Sequence, residues 1–277
     1  MGSVWPVRGP EGEPLMVKLT DAHHEQTLEG DALAAWSAQP LSRSYVVALL
    51  DRATDLDGPQ EALLLERLEP DRPLMVEPIE RADAALAEVL AALGDTPAPG
   101  GVRHTAQELS RIAAAIRAHR AELGAATPVP AQAVDAALAT LDELGSDRAV
   151  LADRRLCHFD LHYDNVLRDL GDTRWVAIDP LPHAGLPEVE VIAALRNRYA
   201  DAAATGDPER ALRRRFDRLC DAAGLDRPLA RALAQAVAVD NLLWLLPRQP
   251  DSMFVPGYAV LAGWTSPSYL PTTTRPR

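Results

Sequence analysis

Residues 158–167 read HFDLHYDNVL, so two histidines, two aspartates and an asparagine crowd one short segment, and the apolar run WVAID that follows ends in a further aspartate, Asp179. Polar groups at this density bind something. Between Asn165 and Asp179 the chain reads VLRDLGDTRWVAI, two apolar runs flanking Gly171-Asp172, which is the signal of a β-hairpin. A hairpin returns the chain to its origin, so Asn165 and Asp179 are expected side by side at its open end. Asp160, five residues before Asn165, is expected to face the same space without being a ligand.

Two such oxygen donors suit a hard cation, and Mg²⁺ in particular shares one or two protein oxygens with substrate phosphates. Phosphoryl transfer to a hydroxyl needs this layout: one aspartate to orient and deprotonate the acceptor, an asparagine and a second aspartate for Mg²⁺, and a distant lysine on the nucleotide phosphates. The spelling His158-x-Asp160-Leu161-x-x-x-Asn165 has the form of a kinase catalytic loop, and Asp179 takes the metal-binding position of the later D-F-G element. Lys18, at the end of a predicted strand, fits the phosphate clamp. Glu29 and Glu25 lie one turn apart on the predicted helix that follows; both are candidates to orient Lys18, and Glu29 is preferred. His158 reads as a brace for the loop rather than a proton carrier. His162 and Asp164 read as loop-fixing or substrate-facing. A metal-hydrolase alternative would make His158, Asp160, His162 and Asp179 direct ligands. It leaves Lys18 and the hairpin-spaced Asn165 without a role.

Lys18 is the sole lysine among 28 basic residues. Such scarcity reads as a compositional bias, and a lysine kept against it suits a place where a compact charge is needed. The formal charge of −12 argues against nucleic acid as a partner and permits a cationic small-molecule substrate. Cys157 and Cys220 read as free thiols. No leader is evident at the start, and no apolar run reaches the roughly 18 residues that span a membrane. A cytoplasmic protein without a membrane partner is expected; the sequence leaves its oligomeric state open.

The elements that must position these residues fall into two parts. Strands are predicted at Val4 to Arg8 and Leu15 to Leu19, a helix over Glu25 to Trp36, and further strands in YVVALLDR and at Ala62 to Glu66. Arg67 to Pro73, with two prolines, reads as a connector. Helices follow at Ile79 to Leu93, from a Thr105/Glu108 capping box to Gly124, and at Ala131 to Leu144; further helices are expected after Pro187, after Asp207-Pro208, and from Pro228 to Leu246. The expected architecture is α+β: a small β-rich N-lobe, 1–68, and a larger helical C-lobe, 69–277, with catalytic loop and metal-binding hairpin at 156–180.

On these motifs the sequence resembles the aminoglycoside phosphotransferase-like kinases, in the streptomycin and hydroxyurea phosphotransferase branch. CHFDLHYDNVL resembles that branch's H-W-D-L-H-Y-E-N-V-L, and RWVAIDPLP its W-L-A-I-D-P-E-P. EALLLERLEP is similar to its nucleotide-binding linker, and ATGDPERALRRRFDRL to a helix start near its C-terminus. The resemblance implies a protein-kinase-like bilobal fold with Asp160 as catalytic base, Asn165 and Asp179 on Mg²⁺, Lys18 on ATP, and Glu66 to Leu68 offering backbone groups to adenine. It implies an ATP-dependent O-phosphotransferase conferring antibiotic resistance, with streptomycin, a cationic aminoglycoside, as preferred acceptor among acidic side chains. Three departures stand out. The sequence begins with the first strand, where family members carry a preceding segment; a shortened nucleotide roof, and with it a pseudokinase that binds without catalysis, is the alternative expectation. The family's G-D-P-x-x-D-L is here Gly185-Leu-Pro-Glu-Val-Glu190-Val, so one expected acid is a leucine and the other corresponds to Glu190. The stretch after Pro247 has no clear counterpart.

Overall fold

The computed structural model describes residues 3–21, 28–54, 60–124 and 128–264. Strand β1 (Ser3–Arg8) runs antiparallel to β2 (Pro14–Asp21), and Lys18 lies opposite Val4. Helix α1 (Glu29–Ser37) buries Ala32, Leu33 and Trp36. These recur at i, i+1 and i+4, one helical face. The Trp36 indole N–H donates to the Leu93 carbonyl at 3.3 Å, which fastens α1 to the rest of the chain. Strands β3 (Leu49–Ala53) and β4 (Gln60–Glu66) complete a four-stranded sheet in the order β1-β2-β4-β3.

Two expectations are corrected here. YVVALLDR is a strand only in its second half: Val47 N–H donates to the Ala177 carbonyl at 2.9 Å, and Ala177 N–H to the Tyr45 carbonyl at 2.8 Å. The first half pairs with the hairpin instead of the sheet. Arg67 to Pro73 is likewise no mere connector, because Leu68–Pro73 forms β5, an edge strand against β8 with a register shift between Glu69 and Pro73. An edge strand with an irregular register tolerates prolines that a central strand would not.

Beyond β5 the chain is mainly helical. Helix α2 (Ile79–Leu93) has the predicted bounds. After β6 (Arg103–His104), α3 (Thr105–Leu123) starts where expected but not by the expected cap. His104 caps it, accepting from Ala106 N–H at 3.1 Å, while Thr105 Oγ1 donates to the Gly185 carbonyl and Glu108 pairs with Arg111. Helices α4 (Ala131–Ser146) and α5 (Arg148–Ala152) lead to β7 (Leu156–Cys157). Strands β8 (Val166–Asp169) and β9 (Trp175–Ala177) form the predicted hairpin, with Val166 opposite Ala177. Asp169 closes its turn, accepting from Thr173 N–H at 2.7 Å and Arg174 N–H at 3.0 Å.

Strand β10 (His183–Ala184) pairs with β6 and β7, and α6 (Val191–Arg196), α7 (Tyr199–Ala204) and α8 (Pro208–Ala223) follow. The Asp207 carboxylate caps α8 by accepting from Arg210 N–H at 3.0 Å, and Pro208 fills a first-turn position that needs no donor. Helix α9 (Arg227–Arg248) is long and apolar enough to cross a membrane by length and composition, yet it is the core helix of this region. Its Leu229, Leu233, Val239 and Leu243 are fully enclosed, packed among α3, α4 and α10 (Val255–Ala262). Each such side chain contributes about 1.5–3 kcal/mol over exposure.

Candidate active site

A cavity of about 310 Å³ lies where the four-stranded sheet meets the hairpin. Its apolar wall includes Met16, Leu65, Leu68, Leu167 and Ile178; its polar groups include Lys18, Glu29, Glu66 and Asp179. A mostly apolar pocket with a few convergent charges is the usual form of a small-molecule site. Lys18 is 4 % exposed and its Nζ lies 2.6 Å from Glu29 Oε2 and 2.9 Å from Asp179 Oδ1. Burial alone would lower the lysine, but the two carboxylates outweigh it and raise it, so Lys18 is charged. Glu29 is pushed up to about 6 by burial, against the pull of Lys18. It is ionised at neutral pH. Glu29 thus occupies the partner position; its rival Glu25 lies outside the described residues.

On the hairpin side, Asn165 Nδ2 donates to the Asp160 carbonyl at 2.9 Å and lies 3.3 Å from Asp160 Oδ2. The Ile178 N–H donates to the Asn165 carbonyl at 2.9 Å, so Asn165 and Asp179 do meet at the open end. Asp160 Oδ1 accepts from Arg196 at 2.5 Å, and His162 Nε2 is 3.6 Å from Oδ2. Desolvation would raise the Asp160 carboxyl, yet His162 and Arg196 hold it below the ordinary carboxylate range. His158 is a brace: buried, it puts Nε2 2.9 Å from the Ile178 carbonyl oxygen, and burial lowers it to about 4. Among the described residues no group of three His, Cys, Asp or Glu side chains could hold a metal, which removes the donor set of the hydrolase alternative.

Two non-glycine residues of the site have left-handed backbones, Phe159 at φ 67° and Asp179 at φ 55°. Such conformations cost of order 1–3 kcal/mol and persist only where surroundings enforce them. Here Phe159 N–H donates to Glu190 Oε1 at 2.9 Å and the Phe159 ring stacks on His183 at 3.8 Å. Glu190, fully enclosed and pushed up to about 7 by burial, therefore stands under the loop as the acid matched in sequence to the altered G-D-P-x-x-D-L element.

Glu66 and Leu68 line the cavity as expected, but the Glu66 amide is already given to the Ala48 carbonyl at 3.0 Å. The Glu66 carboxylate accepts from Ala48 N–H at 2.9 Å and pairs with Arg174. Asp164 is exposed, with its carboxylate 3.8 Å from His162 Nδ1. Sequence reasoning missed Arg196. No spacing marks it, since it reaches Asp160 from a separate helix.

The aminoglycoside/hydroxyurea antibiotic resistance kinase family matches residues 1–246. The streptomycin 6-kinase of Streptomyces glaucescens is 34 % identical over 244 residues, 87 % of this chain and 74 % of that protein. The hydroxyurea phosphotransferase of Kitasatospora aureofaciens is 34 % identical over 87 % of this chain and 65 % of its own length. Among solved structures, an aminoglycoside phosphotransferase from Alicyclobacillus acidocaldarius superposes with a TM-score of 0.59 at 15 % identity, covering 96 % of this chain and 87 % of that one. One from Streptomyces rimosus, solved with ADP and streptomycin, gives 0.52 at 18 % identity over 86 % of this chain and 92 % of its own. Those two likenesses establish the kinase-like fold, with its β-sheet N-terminal and helical C-terminal regions. With a sequence match over most of the chain and a lysine, two aspartates and an asparagine meeting where a kinase-like fold opens its cleft, the chain belongs to the aminoglycoside/hydroxyurea antibiotic resistance kinases.

Proposed function

We propose that the protein transfers the γ-phosphoryl group of Mg²⁺-ATP to a hydroxyl of a small molecule, streptomycin by preference, in the cytoplasm. The observation that carries this reading is the meeting of Lys18, Glu29 and Asp179 on one cavity with Asn165 and Asp160 beside it. We also take residues 1–68 as the nucleotide-binding lobe and 69–277 as the lobe that holds acceptor and catalytic loop; the pairing of β5 with β8 supports a division there.

The donors fit Mg²⁺. Asn165 donates through Nδ2, which leaves its side-chain Oδ1 for a cation, and the Asp179 side chain is 51 % exposed. Mg²⁺ bound there neutralises charge on the phosphate oxygens. Lys18, pinned by Glu29, reaches phosphates in the cavity, and Glu66 to Leu68 border the space for the base. Asp160 receives the acceptor proton as the hydroxyl oxygen bonds to the γ-phosphorus and the bond to ADP breaks. An ionised Asp160 suits that task, and Arg196 keeps it ionised. Support for streptomycin comes from its charge as well as from the relatives: its guanidinium groups suit a chain of formal charge −12.

ADP release from Mg²⁺-ATP, with streptomycin, kanamycin and hydroxyurea offered separately, tests the reading. Asp160→Ala is expected to lower turnover by about 10²- to 10⁴-fold, the usual worth of a positioned base, while nucleotide binding persists. Release that no acceptor stimulates, or that survives the substitution unchanged, overturns it.

A further inference from the structure

Between Asp160 and Asn165 the catalytic loop turns one side chain into the helical region. Tyr163 is fully enclosed, and its hydroxyl donates to Asp83 Oδ1 at 2.6 Å. Asp83, itself buried on α2, lies 3.2 Å from Arg215 Nε and 3.3 Å from Arg218 Nη1, both on α8. Arg215 is 3 % exposed and also donates to the Asn197 carbonyl at 3.0 Å. The guanidinium groups of Arg198 and Arg215 lie 5.5 and 5.7 Å from the centre of the Tyr163 ring, within reach of a cation–π attraction. Arg198 is fastened in turn, donating to the Glu77 carbonyl at 2.7 Å and pairing with Asp201 at 2.9 Å.

Packing alone does not account for this cluster. A phenylalanine would fill the space of the ring, and a buried carboxylate with its arginines is often no more stable than an apolar set of the same volume. What the cluster supplies is fixed geometry where the loop has little of its own. Tyr163–Asn165 is a single tight turn, closed by the Asn165 N–H on the His162 carbonyl at 3.0 Å. Such turns have poor hydrogen-bond geometry and rely on their surroundings. Asn165 leaves this turn with Nδ2 on the Asp160 carbonyl, so the direction of its Oδ1 follows the backbone that Tyr163 anchors. Arg196 and Arg198, separated by Asn197, meet two points of the same loop: one pairs with Asp160 at 2.5 Å, and the other lies over the Tyr163 ring.

We infer that Tyr163 is a positioning residue for the metal site: its hydrogen bond to Asp83, braced by Arg215 and Arg218, fixes the turn that presents Asn165, and so sets the affinity for the divalent cation. This rests on the reading of Asn165 as a Mg²⁺ ligand.

Tyr163→Phe, which keeps the ring and its packing, is the test on the full chain. Calorimetric titration of Mn²⁺ in the presence of ADP reads the site without turnover. The Kd for Mn²⁺ is expected to rise about 3- to 10-fold, the range of one hydrogen bond. The Mg²⁺ concentration that half-saturates turnover should rise alike, and excess Mg²⁺ should restore kcat, because the ligand itself is intact. Arg218→Gln, at the edge of the cluster where the side chain is 42 % exposed, is a second variant the fold tolerates and should shift Mn²⁺ in the same direction by about 2- to 3-fold. Asp83→Asn combined with Tyr163→Phe should bind Mn²⁺ no more weakly than Asp83→Asn alone, since both act through one hydrogen bond. Parental Mn²⁺ affinity in Tyr163→Phe, with or without a lower urea midpoint, would reduce the cluster to a stabilising role and overturn the inference; effects that multiply overturn it as well. A parent chain that phosphorylates no acceptor, while the Mn²⁺ shifts appear as expected, faults the proposed reaction and leaves the positioning role standing. A parent that binds no Mn²⁺ with ADP overturns both.

Discussion

Replacing Glu29 by glutamine keeps the shape of the side chain and one carbonyl acceptor but removes the charge nearest Lys18. In the parent, Lys18 Nζ sits between Glu29 at 2.6 Å and Asp179 at 2.9 Å, with 5 % of the lysine side chain exposed. Stripping a buried ion of its partner costs about 3–5 kcal/mol when nothing else neutralises it. Asp179 does remain, and its half-exposed carboxylate is a weaker, screened partner, so the expected loss is nearer the ~1.5–3 kcal/mol of one hydrogen bond to a charged group. A loss of about 2 kcal/mol lowers the melting temperature by roughly 4–8 °C in a chain of this size. Nucleotide binding should suffer as well. Lys18 would rest on Asp179 alone, the carboxylate proposed to meet Mg²⁺, and freeing it would cost about 1–2 kcal/mol, a 5- to 30-fold rise in the Kd for Mg²⁺-ATP. Urea denaturation and calorimetric titration measure the two effects. Glu25→Gln, the rival by sequence, is the control and should change neither. If Glu25→Gln reproduces both losses while Glu29→Gln leaves them unchanged, the pairing argued above is wrong.

Glu190, neutral-leaning at about 7 when folded and near 4.5 when exposed, binds a proton in the folded chain that the unfolded chain has released. Its contribution is therefore complete below about pH 4.5 and is lost as pH rises through 7, up to about 3 kcal/mol in all. Between pH 5 and 8 the parent should lose more urea stability than Glu190→Gln; parallel profiles would refute the assignment. Gly185, at φ +85°, would place a Cβ 2.7 Å from the Asp153 carbonyl oxygen and 2.9 Å from His104 Nε2, so Gly185→Ala should cost about 2–4 kcal/mol by melting. Gly12→Ala shares the φ of +85° with open space around it and isolates the backbone share, about 1–2 kcal/mol; equal costs at both sites would remove the steric argument.

Much of the site was legible because its signals are local. The Gly171-Asp172 turn between apolar runs fixes the hairpin, and the hairpin alone brings Asn165 to Asp179. Helical spacing offers both Glu29 and Glu25 as partners for Lys18, with Glu29 preferred, and the fold sets Glu29 against the lysine. What remained hidden depends on partners far along the chain. Arg67 to Pro73 has the prolines of a connector, and only the presence of β8 beside it makes it a strand. Thr105 and Glu108 spell a cap, but Gly185 and Arg111 offer them better partners, and His104 does the capping. Arg196 carries no pattern at all: an arginine ending a helix acquires meaning only when the fold sets it against Asp160, 36 residues before it.

Strand register is where sequence pattern and chemistry become one constraint. Lys18 lies opposite Leu63, and Met16 opposite Leu65, so these four side chains share one face of the sheet. Met16, Lys18 and Leu65 line the cavity, and Leu63 is fully enclosed beside them. Side chains alternate along a strand, so a slip of β2 by one residue would turn Val17 and Leu19 to that face and send the lysine to the opposite one. Such a slip would also leave Glu29, fully enclosed on α1, without its counter-ion. A buried carboxylate without a partner is far costlier than a misplaced valine. The ion pair that serves the phosphates in the proposed reaction thus also discriminates against the wrong pairing of β2 with β4, and the register of an apolar sheet is set in part by the charge at its centre.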